Sequence, residues 1–136
     1  MKLLLLLLPL LLALPGTAEA QRNAVDFTNP TDAVTILADG TRDINPVPAD
    51  TPIRNKIYYG TSSGALDSVH EVPELSTPGA KHIINVGTGC GIYYFAVTAT
   101  APTGADGSWI ESGFSNIEIK GQRCLDSVLL PPTQHP

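Results

Sequence analysis

The chain has few of the residues from which catalytic sites are built. Its 136 residues include three histidines and two cysteines, and no G-x-S-x-G nucleophile motif is present. A histidine-based hydrolase needs a nucleophile, a base and an orienting group held together, and the spacing of His70, His82 and His135 suggests no such group. We therefore expect no catalytic residues and no cofactor, and predict that the protein is not an enzyme.

Metal ligands are equally sparse. Two cysteines without nearby histidines are too few for a zinc site. Four aspartates cluster in the first third of the chain, but they lack the alternation and the final glutamate of an EF-hand loop. These four are Asp26, Asp32, Asp39 and Asp43. We expect them to be solvated turn residues and predict no metal, with a loop calcium site as the alternative.

Charge and helical periodicity are scarce as well. Charged residues make up 15% of the chain, and 13 acidic against 8 basic residues give a net charge of −5. An acidic balance argues against binding to nucleic acid or to anionic membranes. No heptad, tandem repeat or long amphipathic helix is visible, whereas 12 glycines and 12 prolines suit short strands with turn-rich connections. The length and composition predict one all-β domain.

The long hydrophobic run lies at the start of the chain. Residues 3–14 follow Lys2 and precede an A-x-A pattern at residues 18–20. The run is too short for a comfortable membrane span, so residues 1–20 are predicted to be a signal peptide that is cleaved after Ala20. The mature protein would then be secreted or periplasmic and free of the membrane. The alternative is an uncleaved N-terminal anchor.

The rest of the chain is organised around residues 91–120. Within this stretch, residues 92–101 are rich in aromatic and β-branched side chains, turn residues follow at 102–108, and strand character resumes over 114–119. The pattern predicts two strands joined by a Gly-rich loop. Alternate residues of the first strand form one face, which consists of Tyr93, Phe95, Val97 and Ala99.

Several sequence blocks carry a family resemblance. They are YYFAVTAT (93–100), ESGFSNIEI (111–119) and KIYYGTSSG (56–64), joined by VDFTNPT (25–31) and the DGT at 39–41. The first two blocks resemble strands F and G, and the third resembles strand C, of a fibronectin type III domain of the bacterial and phage type. VDFTNPT resembles strand B, with Phe27 where the family usually carries Trp, and DGT matches the B–C connection. The resemblance implies an immunoglobulin-like β-sandwich.

The resemblance also implies that strand A is short or missing. With strand B at residues 25–31, only residues 21–23 remain for strand A after cleavage of the signal peptide. An uncovered edge strand presents unpaired N–H and C=O groups and invites pairing with another chain. The alternative is a shifted register that places strand B at residues 34–37.

The remaining strands follow from apolar alternation. The resemblance places strand C at residues 54–59, and the residue pattern predicts an edge strand at 66–72 and strand E at 81–86. The side chains predicted to face the core from strands B, C and E are Val25, Phe27, Ile57, Tyr59, Ile84 and Val86.

One long connection and one tryptophan are candidates for function. Residues 29–52 contain four prolines, which exclude a central strand through most of that span, and a connection of this length is either mobile or functional. The resemblance places it at the same pole as the F–G loop, which carries Trp109. We predict Trp109 as a contact residue, since tryptophan is enriched at interface hot spots. The alternative is that Trp109 folds back and caps the core.

The two cysteines are predicted to form a disulfide. An exported chain favours disulfide formation. The resemblance places Cys90 just before strand F and Cys124 just after strand G, at one pole of the sandwich. The alternatives are two free thiols or an intermolecular bridge.

These observations give a signal peptide (residues 1–20), a fibronectin type III-like domain (21–121) and a tail (122–136). The tail is expected to be disordered, or to cover a sheet edge through Val128, Leu129 and Leu130. The predicted function is an exported, non-enzymatic binding or structural module that contacts an unknown protein or surface polymer. The alternatives are a self-associating phage or cell-surface component, or a small exported enzyme or enzyme inhibitor that uses the 29–52 connection.

Overall fold

The protein folds from β-strands. The computed structural model describes residues 22–135, and the regular secondary structure in that range is nine strands without a helix, as the sequence predicts. The predicted signal peptide lies outside these residues. The strands are β1 (Arg22–Thr28), β2 (Asp32–Ile36), β3 (Arg42–Pro46), β4 (Arg54–Gly60), β5 (Ser68–Glu71), β6 (Lys81–Gly87), β7 (Gly91–Ala101), β8 (Ile110–Glu111) and β9 (Glu118–Gln122).

The strands form three antiparallel sheets. Strands β1 and β6 pair over their full length, from Arg22 opposite Gly87 to Thr28 opposite Lys81. The largest sheet has the order β5-β4-β7, and β8 and β9 both pair with the remaining edge of β7. Strands β2 and β3 form a separate hairpin. Strand β5 lies at an edge, as predicted for that part of the chain.

The core lies between the β1–β6 pair and the largest sheet, as in a β-sandwich. Its fully buried members come from both layers, and the partly buried side chains pack around them. Alternating side chains predicted to face inward on β1, β4, β6 and β7 do so, which confirms the period-two interpretation of these strands. The cluster consists of Val25, Ile57, Val72, Val86 and Phe95, surrounded by Phe27, Tyr59, Ile84, Tyr93 and Val97.

The 29–52 connection contains the β2–β3 hairpin, which the sequence analysis did not predict. Its turn is the DGT block, where the Asp39 carboxylate accepts hydrogen bonds from the Thr41 N–H at 3.0 Å and the Thr41 hydroxyl at 2.6 Å. Gly40 supplies the positive φ of 85° that the turn requires. A strand does lie at residues 32–36, near the alternative position for strand B, but it pairs with β3 alone, whereas β1 pairs with β6.

The last predicted strand, at residues 114–119, is interrupted in the structure. Between β8 and β9, Ser112 and Ser115 donate their N–H groups to the carbonyls of Ala99 and Val97, at 2.8 and 2.9 Å. The two serine hydroxyls accept hydrogen bonds from the N–H groups of the same β7 residues. Each hydroxyl replaces the carbonyl of a regular ladder, so the segment stays attached to β7 without continuing the strand.

The disulfide between Cys90 and Cys124 is confirmed. The Cα atoms of the two residues lie 4.9 Å apart, and no cysteine is free in the described chain. The bond ties the chain after β9 to the residue that precedes β7. It fixes the last strand at the pole where β1 and β7 begin.

A buried polar contact joins the two layers. The Asn55 side chain on β4 donates to the Asn29 side-chain oxygen at 2.8 Å and to the Thr98 carbonyl at 3.2 Å. Asn29, just after β1, donates in turn to the Ser76 hydroxyl and the Thr77 carbonyl. Both asparagines are buried. The contact therefore specifies how the β1–β6 pair lies on the larger sheet.

We expect Asn55→Ala to lower the free energy of unfolding by about 1–3 kcal/mol, because it leaves the buried Asn29 oxygen without its donor. Urea unfolding followed by circular dichroism measures the change. Asn45→Ala is the matched control, since Asn45 is exposed and its side chain donates to Asp43 alone. Equal unfolding midpoints for the Asn55 variant and the wild type would contradict the role given to this contact.

Replacing both cysteines by serine is expected to cost about 4 kcal/mol of stability, because the disulfide closes a loop with a sequence separation of 34. Guanidinium unfolding of the double variant beside the oxidised wild type measures the loss. Reduced wild-type protein should unfold at the midpoint of the variant. An unchanged midpoint after reduction would show that the bond contributes no stability.

Candidate binding surface at the loop pole

The β2–β3 hairpin exposes an apolar face. Val34 lies directly opposite Ile44, and Ile36 is two residues from Val34, so the three side chains share one face of the hairpin. Ile36 is 62% and Ile44 64% exposed. Contiguous exposed apolar side chains of this kind mark interaction sites. This set is called the hairpin patch below.

A cleft of about 410 Å³ lies between the hairpin and the end of β7. Val34 belongs to both the hairpin patch and the cleft, so the two form one surface. The size is within the range of small-ligand sites, which are also mostly apolar. The apolar lining consists of Ala33, Val34, Val47, Ile53, Ala99, Ala101 and Ile110, and polar groups include Thr51, Thr103, Glu111 and Ser112. The loop pole is defined here as the hairpin patch, this cleft and the 102–109 connection.

Trp109 lies at the loop pole, beside Ile110 of the cleft. Its side chain is 45% exposed, and the Arg54 guanidinium lies 5.4 Å from the ring centroid. That position is typical of a cation–π contact, which holds the ring on the surface. Trp109 is not part of the core cluster, which argues against the alternative that it caps the core. Its role as a contact residue stays a prediction.

Strand β8 forms one wall of the cleft, and side chains of β4 and β7 hold it in place through hydrogen bonds. The Glu111 carboxylate accepts one from the Tyr58 hydroxyl at 2.6 Å and one from the Thr98 hydroxyl at 2.7 Å. The bond from Tyr58, then that from Thr98, lowers the pKa of Glu111 against the opposing effect of burial, and Lys56 adds to the lowering. The same bond raises the pKa of Tyr58. Phe114 packs on the Tyr58 ring with the centroids 5.1 Å apart.

The histidines and aspartates singled out in the sequence are not gathered at the loop pole as a metal site. Over residues 22–135, no group of three or more His, Cys, Asp or Glu side chains is placed to hold a metal ion. His82 stacks on Phe27 and contacts the Ser76 hydroxyl at 3.0 Å. His70 lies on the edge strand β5. The cleft therefore offers mainly apolar contact, and its lining also includes hydroxyl groups and the carboxylates of Asp32 and Glu111.

Sequence reasoning missed the hairpin patch. Before the DGT turn, Val34 and Ile36 alternate with Thr35, but this run is short, and the prolines of the 29–52 span indicated a loop. Three of the four, Pro30, Pro48 and Pro52, lie outside the two strands, and Pro46 is the last residue of β3. Proline at such positions is compatible with a short hairpin.

The chain matches no protein-family model, and no curated protein or solved structure is significantly similar to it. Over the described residues, no helix is long and apolar enough to cross a membrane. The disulfide is compatible with an oxidising extracellular or periplasmic location.

The pKa of Glu111 should rise toward its ordinary value in Tyr58→Phe, because the variant loses the strongest hydrogen bond to the carboxylate. Carboxyl carbon chemical shifts in an NMR pH titration measure it. Since the folded-state pKa is depressed, these bonds stabilise the fold above the unfolded pKa and lose effect as the pH falls through the folded value. Tyr59→Phe is the control, and an equal shift in both variants would contradict the assignment.

Proposed function

We propose that the protein is an exported, non-enzymatic binding module of the fibronectin type III kind that contacts a protein or a surface polymer through the loop pole. The observation that carries this proposal is the hairpin patch. Val34, Ile36 and Ile44 expose more than half of their surface beside an apolar cleft. A monomeric domain gains nothing in stability from leaving such a face in water, whereas a binding surface needs it.

The strand pairing supports the family proposal. In immunoglobulin-like sandwiches, strands B and E share one sheet while C, F and G share the other. The blocks that resemble strands B, C, F and G fall on β1, β4, β7 and the segment from β8 to β9. Strand β1 pairs with β6, and β4 and β9 flank β7.

The preorganisation of the loop pole supports recognition by contact. The bonds from Tyr58 and Thr98 hold Glu111 in place, and Arg54 holds Trp109 on the surface. A surface that is rigid before binding loses less conformational entropy when a partner docks. Cleavage after Ala20 and a secreted or periplasmic location belong to the same proposal, and the disulfide is compatible with that location.

In the cell that produces the protein, a photoreactive benzoylphenylalanine at position 36 should yield a cross-linked adduct with the partner. The same residue at position 92 is the matched control, because Ile92 is exposed at the opposite pole. Mass spectrometry of the adduct distinguishes a protein from a polymer. Trp109→Ala combined with the position 36 label should lower the yield. Equal yields of the cross-linked adduct from positions 36 and 92 would contradict the loop-pole proposal.

The open edge of β1 favours a second candidate function, a self-associating phage or cell-surface component. This second function would use the open edge of β1, whereas the first uses the loop pole.

A further inference from the structure

A cleft borders the core along one side of β1. A cleft of about 360 Å³ lies between β1 and the segment before β9, and a second of about 250 Å³ continues it toward Asn29. Apolar side chains of the core line the first cleft, and Phe27 and Val97 are only partly buried there. The two layers are therefore not closed at this side. The lining side chains from the core are Val25, Phe27, Phe95 and Val97.

The backbone of β1 is unpaired on the same side. Over the described residues, β1 pairs with β6 alone. The Asn29 N–H donates to the Ala80 carbonyl at 2.9 Å, which continues the ladder with β6. Because N–H and C=O groups alternate in direction along a strand, Ala24, Asp26 and Thr28 direct theirs away from β6. A strand added at this edge would find both hydrogen-bonding groups and a cleft that is lined partly by apolar side chains and partly by polar ones.

The C-terminal tail supplies a segment of matching character. Four of the six residues in LDSVLL (125–130) are apolar, and all four are at least 80% exposed, with Leu129 at 95%. They are the most exposed large hydrophobic side chains of the described chain. Pro131 and Pro132 follow and end any strand. Six residues approach the seven of β1 in length.

The direction of the chain excludes antiparallel pairing of the tail with its own β1. Strand β9 ends, and the Cys90–Cys124 bond lies, at the pole where β1 begins. An antiparallel strand on β1 would have to start at the other pole, about 23 Å away for a seven-residue strand. Residues 125–130 start directly after the bonded Cys124, so they cannot start there. The tail of another molecule has no such restriction.

We propose that residues 125–130 of one copy add to β1 of a second copy as an antiparallel strand. The added strand would pair with the edge groups of Ala24, Asp26 and Thr28 and place apolar side chains over the cleft. Every strand pair among residues 22–135 is antiparallel, so the addition continues the existing geometry. The loop pole is not used, so failure of this proposal leaves the loop-pole proposal intact.

Light scattering of the oxidised mature chain (21–136) over a range of concentrations should show a mass above that of one chain. Deletion of residues 125–136 should lower the mass to that of one chain. Asp26→Pro removes an N–H from the open edge of β1 and leaves the ladder to β6 intact, so it should also lower the mass to that of one chain. Asp26→Ala keeps this N–H and should still associate. A double variant of the hairpin patch, Ile36→Ser with Ile44→Ser, should also associate.

Mixing the tail deletion with Asp26→Pro tests the complementarity directly. The tail deletion keeps the open β1 edge but has no tail, whereas Asp26→Pro keeps its tail but has a blocked edge. The mixture should therefore form a heterodimer. If Asp26→Pro does not fold, a synthetic peptide of residues 125–136 replaces it and should slow amide exchange of Ala24, Asp26 and Thr28 in the tail deletion. A wild type of one-chain mass at every concentration would overturn the proposal, with or without protected β1 amides. So would continued association after deletion of the tail.

Discussion

The two-stranded sheet of β1 and β6 is stabilised by the packing of its apolar inward face against the largest sheet. A hairpin-sized pair of strands is marginal in water by itself. Val25 and Val86 pack against Ile57 and Phe95 of the largest sheet, and burial of each such side chain contributes about 1.5–3 kcal/mol. The position of β1 in turn fixes Asn29, from which the β2–β3 hairpin begins. The loop pole and the open edge therefore both depend on this packing.

Apolar packing alone does not specify how the layers align, because the hydrophobic effect has no direction. The Asn29–Asn55 contact supplies direction, since a buried amide that loses its partner is costly. This polar pair lies next to the cleft that borders Asn29. The side-chain oxygen of Asn55 is buried there without a hydrogen-bond partner.

The elements that could be predicted are those in which one face of a strand is buried. Period-two alternation identified β7 and the inward sides of β1, β4 and β6, because burial of one face imposes it. The hairpin patch could not be found this way, since both its faces lie outside the core. The hydrogen bonds from Ser112 and Ser115 to β7 could not be predicted from the sequence either, for a different reason. A hydroxyl that replaces a carbonyl leaves no periodic pattern in the sequence.

The two candidate surfaces lie in different places, and this separation has a consequence for avidity. The hairpin patch is at the pole where β1 and β7 end, whereas the tail leaves from the disulfide at the pole where they begin. Strand addition along β1 would leave Val34, Ile36 and Ile44 uncovered in every copy. An assembly built this way would present several loop poles at once, and linked weak sites bind a multivalent partner far more tightly than one site does. The disulfide would then serve both functions, because it fixes the root of the tail without restricting the residues beyond it.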